Sequence, residues 1–97
     1  MSVKRDLRWH LFKFYASVFI ALGFRKRAII TFEEMLNQYP NDPYALNSLA
    51  YLKTEAGDKA GAISIYKIVV QRSDAAAYSW YNLGFLQEEV GDIDDAE

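Results

Sequence analysis

Residues 43–76 read PYALNSLAYLKTEAGDKAGAISIYKIVVQRSDAA. On both sides of Gly57-Asp58 the apolar residues recur at helical spacing, which predicts two short amphipathic helices joined by a turn. The flanking sequence repeats this pattern at an interval of 34 residues. Phe12, Leu46 and Trp80 fall in register, as do Tyr15, Leu49 and Leu83. Ala16, Ala50 and Gly84 form a third set, Gly23, Gly57 and Gly91 a fourth, and Ala28, Ala62 and Ala96 a fifth. Phe32 and Tyr66 are one further step apart. A helix–turn–helix unit recurring at this period is the signature of a stacked helical array.

Turn chemistry supplies the boundaries. A frayed tail is expected over Met1 to about Lys4. Asp6 starts a helix that runs to about Leu22, and its broad apolar arc suits contact on two sides. Gly23 provides the left-handed residue that ends it. A second helix should span about Arg25 to Gln38, with Ala28, Ile29, Phe32, Met35 and Leu36 facing inward. In Tyr39-Pro40-Asn41-Asp42-Pro43, Pro40 disfavours helix at Tyr39, while Asp42 can cap a third helix that has Pro43 in its first turn. That helix should end near Ala56. A fourth is expected from Asp58 to about Arg72, a fifth from the Ser73-Asp74 cap to about Val90, and a sixth from Asp92.

Composition sets outer limits. Ninety-seven residues make one domain, with units at about 9–42, 43–76 and 77–97, the last of them truncated. Hydrophobic residues at 52% and aromatics at 15% supply a packed core and argue against disorder. The absence of cysteine excludes disulfides and thiolate metal sites. Phe14 to Phe24 is the longest uncharged apolar run, eleven residues interrupted by Ser17 and Gly23, well short of the roughly 20 that a spanning helix needs. Arg25-Lys26-Arg27 follows it directly, a poor context for export, so a cytoplasmic location is expected. Charge is unevenly placed: residues 1–27 carry seven basic side chains and one acid, whereas residues 28–97 carry four and twelve.

The spacing also predicts a close helix crossing. Ala16, Ala50 and Gly84 should face Ala28, Ala62 and Ala96, with Leu49, Tyr66 and Trp80 filling the space beside them. With the third unit cut short, Leu83 and Leu86 are expected to be exposed. Arrays normally end in a polar capping element, so the chain is expected either to be a fragment of a longer array or to cover this end by self-association.

These residues together resemble the tetratricopeptide repeat family across Trp9 to Glu97. The fullest match is Trp80-Tyr81-Asn82-Leu83-Gly84. The central unit matches through Leu46, Leu49, Ala50, Tyr51, Gly57, Ala62 and Tyr66. The first matches through Phe12, Tyr15, Ala16, Gly23, Ala28, Phe32 and Pro40. Asp74 stands where a unit-ending proline would be expected by analogy with Pro40. The resemblance implies an all-α, right-handed solenoid of antiparallel hairpins, concave on the side of each first helix. It implies a non-enzymatic scaffold that holds a peptide or helix of another protein, with no cofactor.

Carried onto this chain, the family's concave surface comprises His10, Lys13 and Ser17, then Tyr44, Asn47 and Tyr51, then Tyr78, Tyr81 and Phe85. Asn82 and Glu88 lie at its margin. Aromatic side chains of this kind give large contact area at interfaces. The carboxylate clamp of chaperone-adaptor members is mostly missing. Lys13 matches one position, but Ser17, Ser48, Tyr78 and Asn82 occupy the others.

Other functions have less support. His10 is the only histidine, and no nucleophile elbow or phosphate-cradling glycine loop is present. Asp92, Asp94 and Asp95 lack the glycine and bidentate acid of a calcium loop. No metal site or catalytic residue is therefore expected. The competing reading is attachment to an anionic surface through Lys4, Arg5, Arg8, Lys13, Arg25, Lys26 and Arg27, interleaved with Trp9, Phe12 and Phe14. A membrane surface suits that pattern better than nucleic acid, because the 34-residue period fits RNA-reading helical repeats poorly.

Overall fold

In a computed structural model, five helices follow one another: α1 (Leu7–Ala21), α2 (Arg25–Gln38), α3 (Pro43–Glu55), α4 (Lys59–Val69) and α5 (Ala77–Asp95). The structure describes residues 6–72 and 75–95, with side chains described as far as Gly91. There is no strand among the described residues, and the protein is all-α. The expected caps at Ser73-Asp74, the N-terminal tail and Ala96 lie outside the described residues.

Aspartates begin three of these helices. Asp6 accepts the Trp9 backbone N–H at 3.1 Å, Asp42 accepts that of Ala45 at 2.9 Å, and Asp58 accepts that of Gly61 at 3.0 Å. Each bond pairs a donor that the first helical turn leaves without an intrahelical partner. Helix ends follow an equally local rule. Gly23 and Gly57 adopt φ of +83° and +90°, a conformation that only glycine reaches at little cost. The chain then folds back with the same hydrogen bonds at both places. Phe24 N–H donates to Phe19 C=O at 2.8 Å, and 34 residues later Asp58 N–H donates to Lys53 C=O at 2.8 Å. Gly23 to Ile20 and Gly57 to Thr54 match in the same way, both at 3.0 Å.

Successive helices run antiparallel. Arg8 Nη1 donates to Gln38 at 2.7 Å and the Tyr39 hydroxyl donates to Asp6, so the start of α1 lies beside the end of α2. Arg72 Nη1 reaches the Asn41 carbonyl at 3.2 Å, which joins the end of α4 to the start of α3. Lys59 pairs with Glu89 at 3.0 Å, setting the start of α4 against the later part of α5. Each helix packs mainly on its neighbours in sequence. The result is elongated, with extents of 50 × 34 × 20 Å. Its radius of gyration of 14.3 Å exceeds the roughly 12.5 Å of a compact domain of this length.

The core forms a strip between the helices. One part gathers Trp9, Ala16, Ala28, Phe32, Met35, Leu49 and Leu52, and the next gathers Ala50, Ala62, Tyr66, Val70, Leu83 and Leu86, with Ile65 touching both. Ala16, Ala28, Ala50 and Ala62 are wholly buried, as the close crossing of small residues requires. Trp9 is buried as well, and its indole N–H donates to Asp42 at 3.0 Å. Both Asp42 oxygens are thus paired, which makes its burial tolerable.

Five expectations fail around the two ends. Gly84, expected at a close crossing, is exposed with open space around it. The helix does not stop at Gly91, and no sixth helix starts at Asp92, because α5 continues to Asp95. Extending a helix adds a hydrogen bond without a new nucleation cost, and among the described residues no segment after α5 packs back on it to offset a turn. Trp80 does not fill the core but is half exposed, whereas Leu83 and Leu86, expected at the surface, are buried against α4. The reason is the helical period: Ser79, Leu83 and Leu86 share the inner face, and Trp80 points away from it. Finally, among the described residues α1 is covered on one side only. Trp9 and Ala16 are buried, while Leu7, Leu11, Phe14, Tyr15 and Leu22 remain exposed.

Candidate functional site

Tyr51 is the centre of the candidate site. Its α3 neighbours Leu49, Ala50 and Leu52 point into the core, and the helical period turns Tyr51 outward at 57% exposure. Two adjoining clefts meet there and share Tyr51, Tyr66 and Asn82. The first, about 300 Å³, is completed by Ile20 from α1, Asn47, Ser48 and Leu52 from α3, and Tyr78 from α5. The second, about 240 Å³, is completed by Thr54, Tyr81, Phe85 and Leu86. A smaller hollow of about 190 Å³ extends the trough past Tyr51 to Arg25 and Glu55. The trough is open along its length, a shape that suits an extended or helical segment better than an enclosed small molecule.

The floor is held by polar contacts between helices. Tyr66 is almost fully buried, and its hydroxyl accepts from Asn82 Nδ2 at 3.3 Å, linking α4 to α5. Burial pushes the Tyr66 phenol above its ordinary range, so it stays neutral, and the Asn82 bond opposes that shift only in part. Asn47 joins α3 to α5 in a similar way. Its Nδ2 donates to the Pro43 carbonyl at 3.0 Å, and its Oδ1 accepts from the buried Ser79 hydroxyl at 2.8 Å. No buried side-chain nitrogen or oxygen among the described residues lacks a partner. Above this floor, Tyr51, Tyr78, Tyr81 and Phe85 stand roughly half exposed or more, and Tyr81 and Phe85 stack with centroids 6.4 Å apart. Aromatic rings backed by a rigid floor lose little conformational entropy on contact.

Asn47, Tyr51, Tyr78, Tyr81, Asn82 and Phe85, all named from the sequence, are brought together in this trough. The two asparagines serve the floor more than the rim, since their amides already bond other helices. His10, Lys13 and Tyr44 gather elsewhere. Lys13 Nζ lies 5.5 Å from the Trp9 ring and 5.1 Å from the Tyr44 ring, and His10 meets the edge of Trp9 at 5.1 Å. Tyr44 is half-buried and packs against Phe32. Ser17 is exposed on α1 and lines neither cleft. Glu88 lies beside Trp80, Gly84 and Gln87 on the far side of Tyr81 and Phe85.

Comparison with protein-family models and with curated proteins finds no match. The site must therefore be read from its own geometry. That geometry adds Ile20, Ser48, Leu52, Thr54, Tyr66 and Leu86 to the sequence-derived set. Ile20 had a usable signal, since it follows Ser17 by three residues and so shares its side of α1. Tyr66 had none, because its place on an inward face gave no sign that its ring reaches the trough floor. Among the described residues no cluster of three His, Asp or Glu side chains is placed to hold a metal ion.

Proposed function

We propose that the protein is an interaction scaffold that receives a peptide or helix of another protein in the Tyr51-centred trough. One observation carries the reading: side chains from α1, α3, α4 and α5 meet in a single open trough whose rim is aromatic and whose floor is fully hydrogen-bonded. Such a surface offers contact area without having to order itself first. The 34-residue recurrence, the two glycine turns with matching hydrogen bonds and the buried alanine crossings support a tetratricopeptide-like, right-handed arrangement of the hairpins. In that arrangement the trough is the concave face. It favours a segment bearing apolar or aromatic side chains, with Arg25 and Glu55 available at one end for a charged neighbour. A cytoplasmic protein–protein contact without cofactor is the setting this implies.

The test is a selection from a random peptide library against the intact chain, followed by NMR mapping of the selected peptide. Shifts concentrated at Tyr51, Tyr66, Asn82 and Phe85 are expected. Shifts confined to His10, Lys13 and Tyr44, or to the outer side of α5, would move the binding function out of the trough.

A further inference from the structure

The outer side of α1 carries a second surface, which meets the end of the trough at Arg25. Leu7, Leu11, Phe14, Val18 and Leu22 follow one another at intervals of four and three residues, so they share one side of the helix. Leu7 is 73% exposed and Phe14 and Leu22 are each 61% exposed, whereas Trp9 and Ala16 on the opposite side are buried. Leu22 is followed in sequence, at the same end of α1, by exposed Phe24, Arg25, Lys26 and Arg27. The side chains of that basic triplet are exposed and form no ion pair among the described residues. Arg8 lies at the other end of α1, preceded in sequence by Lys4 and Arg5.

We propose that this face docks on an anionic lipid surface, with α1 lying in the plane of the interface. An apolar stripe with basic residues at its ends matches both components of such a surface, the acyl boundary and the charged headgroups. The geometry fits lying on the surface and not crossing it. At 15 residues α1 is too short to span a bilayer, and no helix among the described residues is long and apolar enough to cross a membrane. A second copy is the weaker occupant. Residues 1–27 carry a net charge of +6, so pairing α1 with α1 would set like charges together. A single helix face about 22 Å long is also small beside the roughly 1,200–2,000 Å² that a stable interface buries. Trp9 and Phe12, named from the sequence with the basic residues, are not part of this face, since Trp9 is buried and Phe12 packs against the core around it.

The test is co-sedimentation of the intact chain with phosphatidylcholine vesicles, with and without phosphatidylserine, at low and high salt. Binding is expected only with phosphatidylserine, and it should weaken as salt rises. Arg25→Gln/Lys26→Gln/Arg27→Gln should lower the partition coefficient on the order of 10²-fold, from about fivefold per basic residue. Leu11→Glu/Phe14→Glu should abolish binding, with circular dichroism verifying the fold. Should that variant unfold, the triplet variant, altered only at exposed positions, decides alone. Tyr51→Ala/Tyr81→Ala should bind vesicles like the wild type. No binding to anionic vesicles, equal binding to neutral ones, or full binding by the triplet variant would overturn the proposal. Concentration-dependent self-association in solution without vesicle binding would assign the face to a second copy instead.

Discussion

Replacing Asp42 tests how the first helical hairpin is fastened to the second. Its Oδ2 caps α3 through the Ala45 N–H at 2.9 Å, and its Oδ1 accepts the Trp9 indole N–H at 3.0 Å from α1. Asp42 is 5% exposed and Trp9 is 3% exposed, so water can replace neither bond without rearrangement. Asp42→Ala removes a cap worth about 0.5–2 kcal/mol. It also strands a buried donor, at about 1–3 kcal/mol. The expected total is about 2–4 kcal/mol, or very roughly a 10–25 °C fall in thermal midpoint for a chain of this size. Asp42→Asn should fall between, because its single side-chain oxygen can serve Ala45 or Trp9 but offers no second carboxylate oxygen. Trp9→Phe keeps most of the ring and orphans Oδ1, so about 1–3 kcal/mol is expected. The assay is thermal and urea unfolding followed by circular dichroism for the three single mutants and the Asp42→Ala/Trp9→Phe double mutant. Because the two residues share one bond, the double mutant should recover about 1–2 kcal/mol relative to the sum of the singles. Strict additivity would show that the Trp9–Asp42 bond does not fasten the hairpins and would refute this reasoning.

Three other predictions bear on the fold. Ala62→Leu should overpack the wholly buried crossing and cost about 1–3 kcal/mol, seen as a lower thermal midpoint; an unchanged midpoint would contradict the crossing. Gly57→Ala should cost about 1–2 kcal/mol at φ +90°, although no atom lies within 4 Å of the added methyl, whereas Gly84→Ala on α5, equally free of neighbours, should be neutral or stabilising. The Tyr39–Asp6 bond predicts a pH profile. Its hydrogen bonds, first that from the Tyr39 hydroxyl, hold Asp6 below its ordinary 3.8, so this stability is present above that value and is lost as pH falls through the lower folded pKa. The same bond holds Tyr39 above its ordinary 10.0, so its contribution is present below that value and is lost as pH rises through the higher folded pKa. The wild type should therefore exceed Tyr39→Phe in thermal midpoint near neutrality, with the gap closing below about pH 4 and above about pH 10. A gap independent of pH would remove the ionised Asp6 from the bond.

Much of this architecture was legible in the sequence because its signals are local. Gly23, Gly57, Asp42-Pro43 and Asp58 act within a turn of their own positions, and the bounds of α2 and α3 follow from them to within a residue. The paired alanines were legible because only small side chains permit so close a crossing. Gly91 failed because a glycine permits a left-handed turn without requiring one, and packing decides whether the turn forms. Trp80 failed for a related reason. Its register with Leu46 promised an inner face, yet Leu46 is buried and Trp80 is half exposed, since the burial of a side chain depends on which helices flank it. At the candidate site, the α3 and α5 aromatics could be read from their period. The separation of His10, Lys13 and Tyr44 from them could not, because the buried Trp9 ring draws Lys13 and Tyr44 toward itself.

The trough is the central claim, and calorimetry on one selected peptide tests it most directly. Affinity would be measured for the wild type, Tyr51→Ala, Tyr81→Ala and the double mutant, each shown by circular dichroism to be folded. Both tyrosines are more than half exposed, so truncating them should leave the fold intact. Each single mutant should weaken binding by about 1 kcal/mol or more, at least fivefold, with little dependence on salt. Undiminished affinity in the folded double mutant would contradict the account and place the binding surface elsewhere on the molecule.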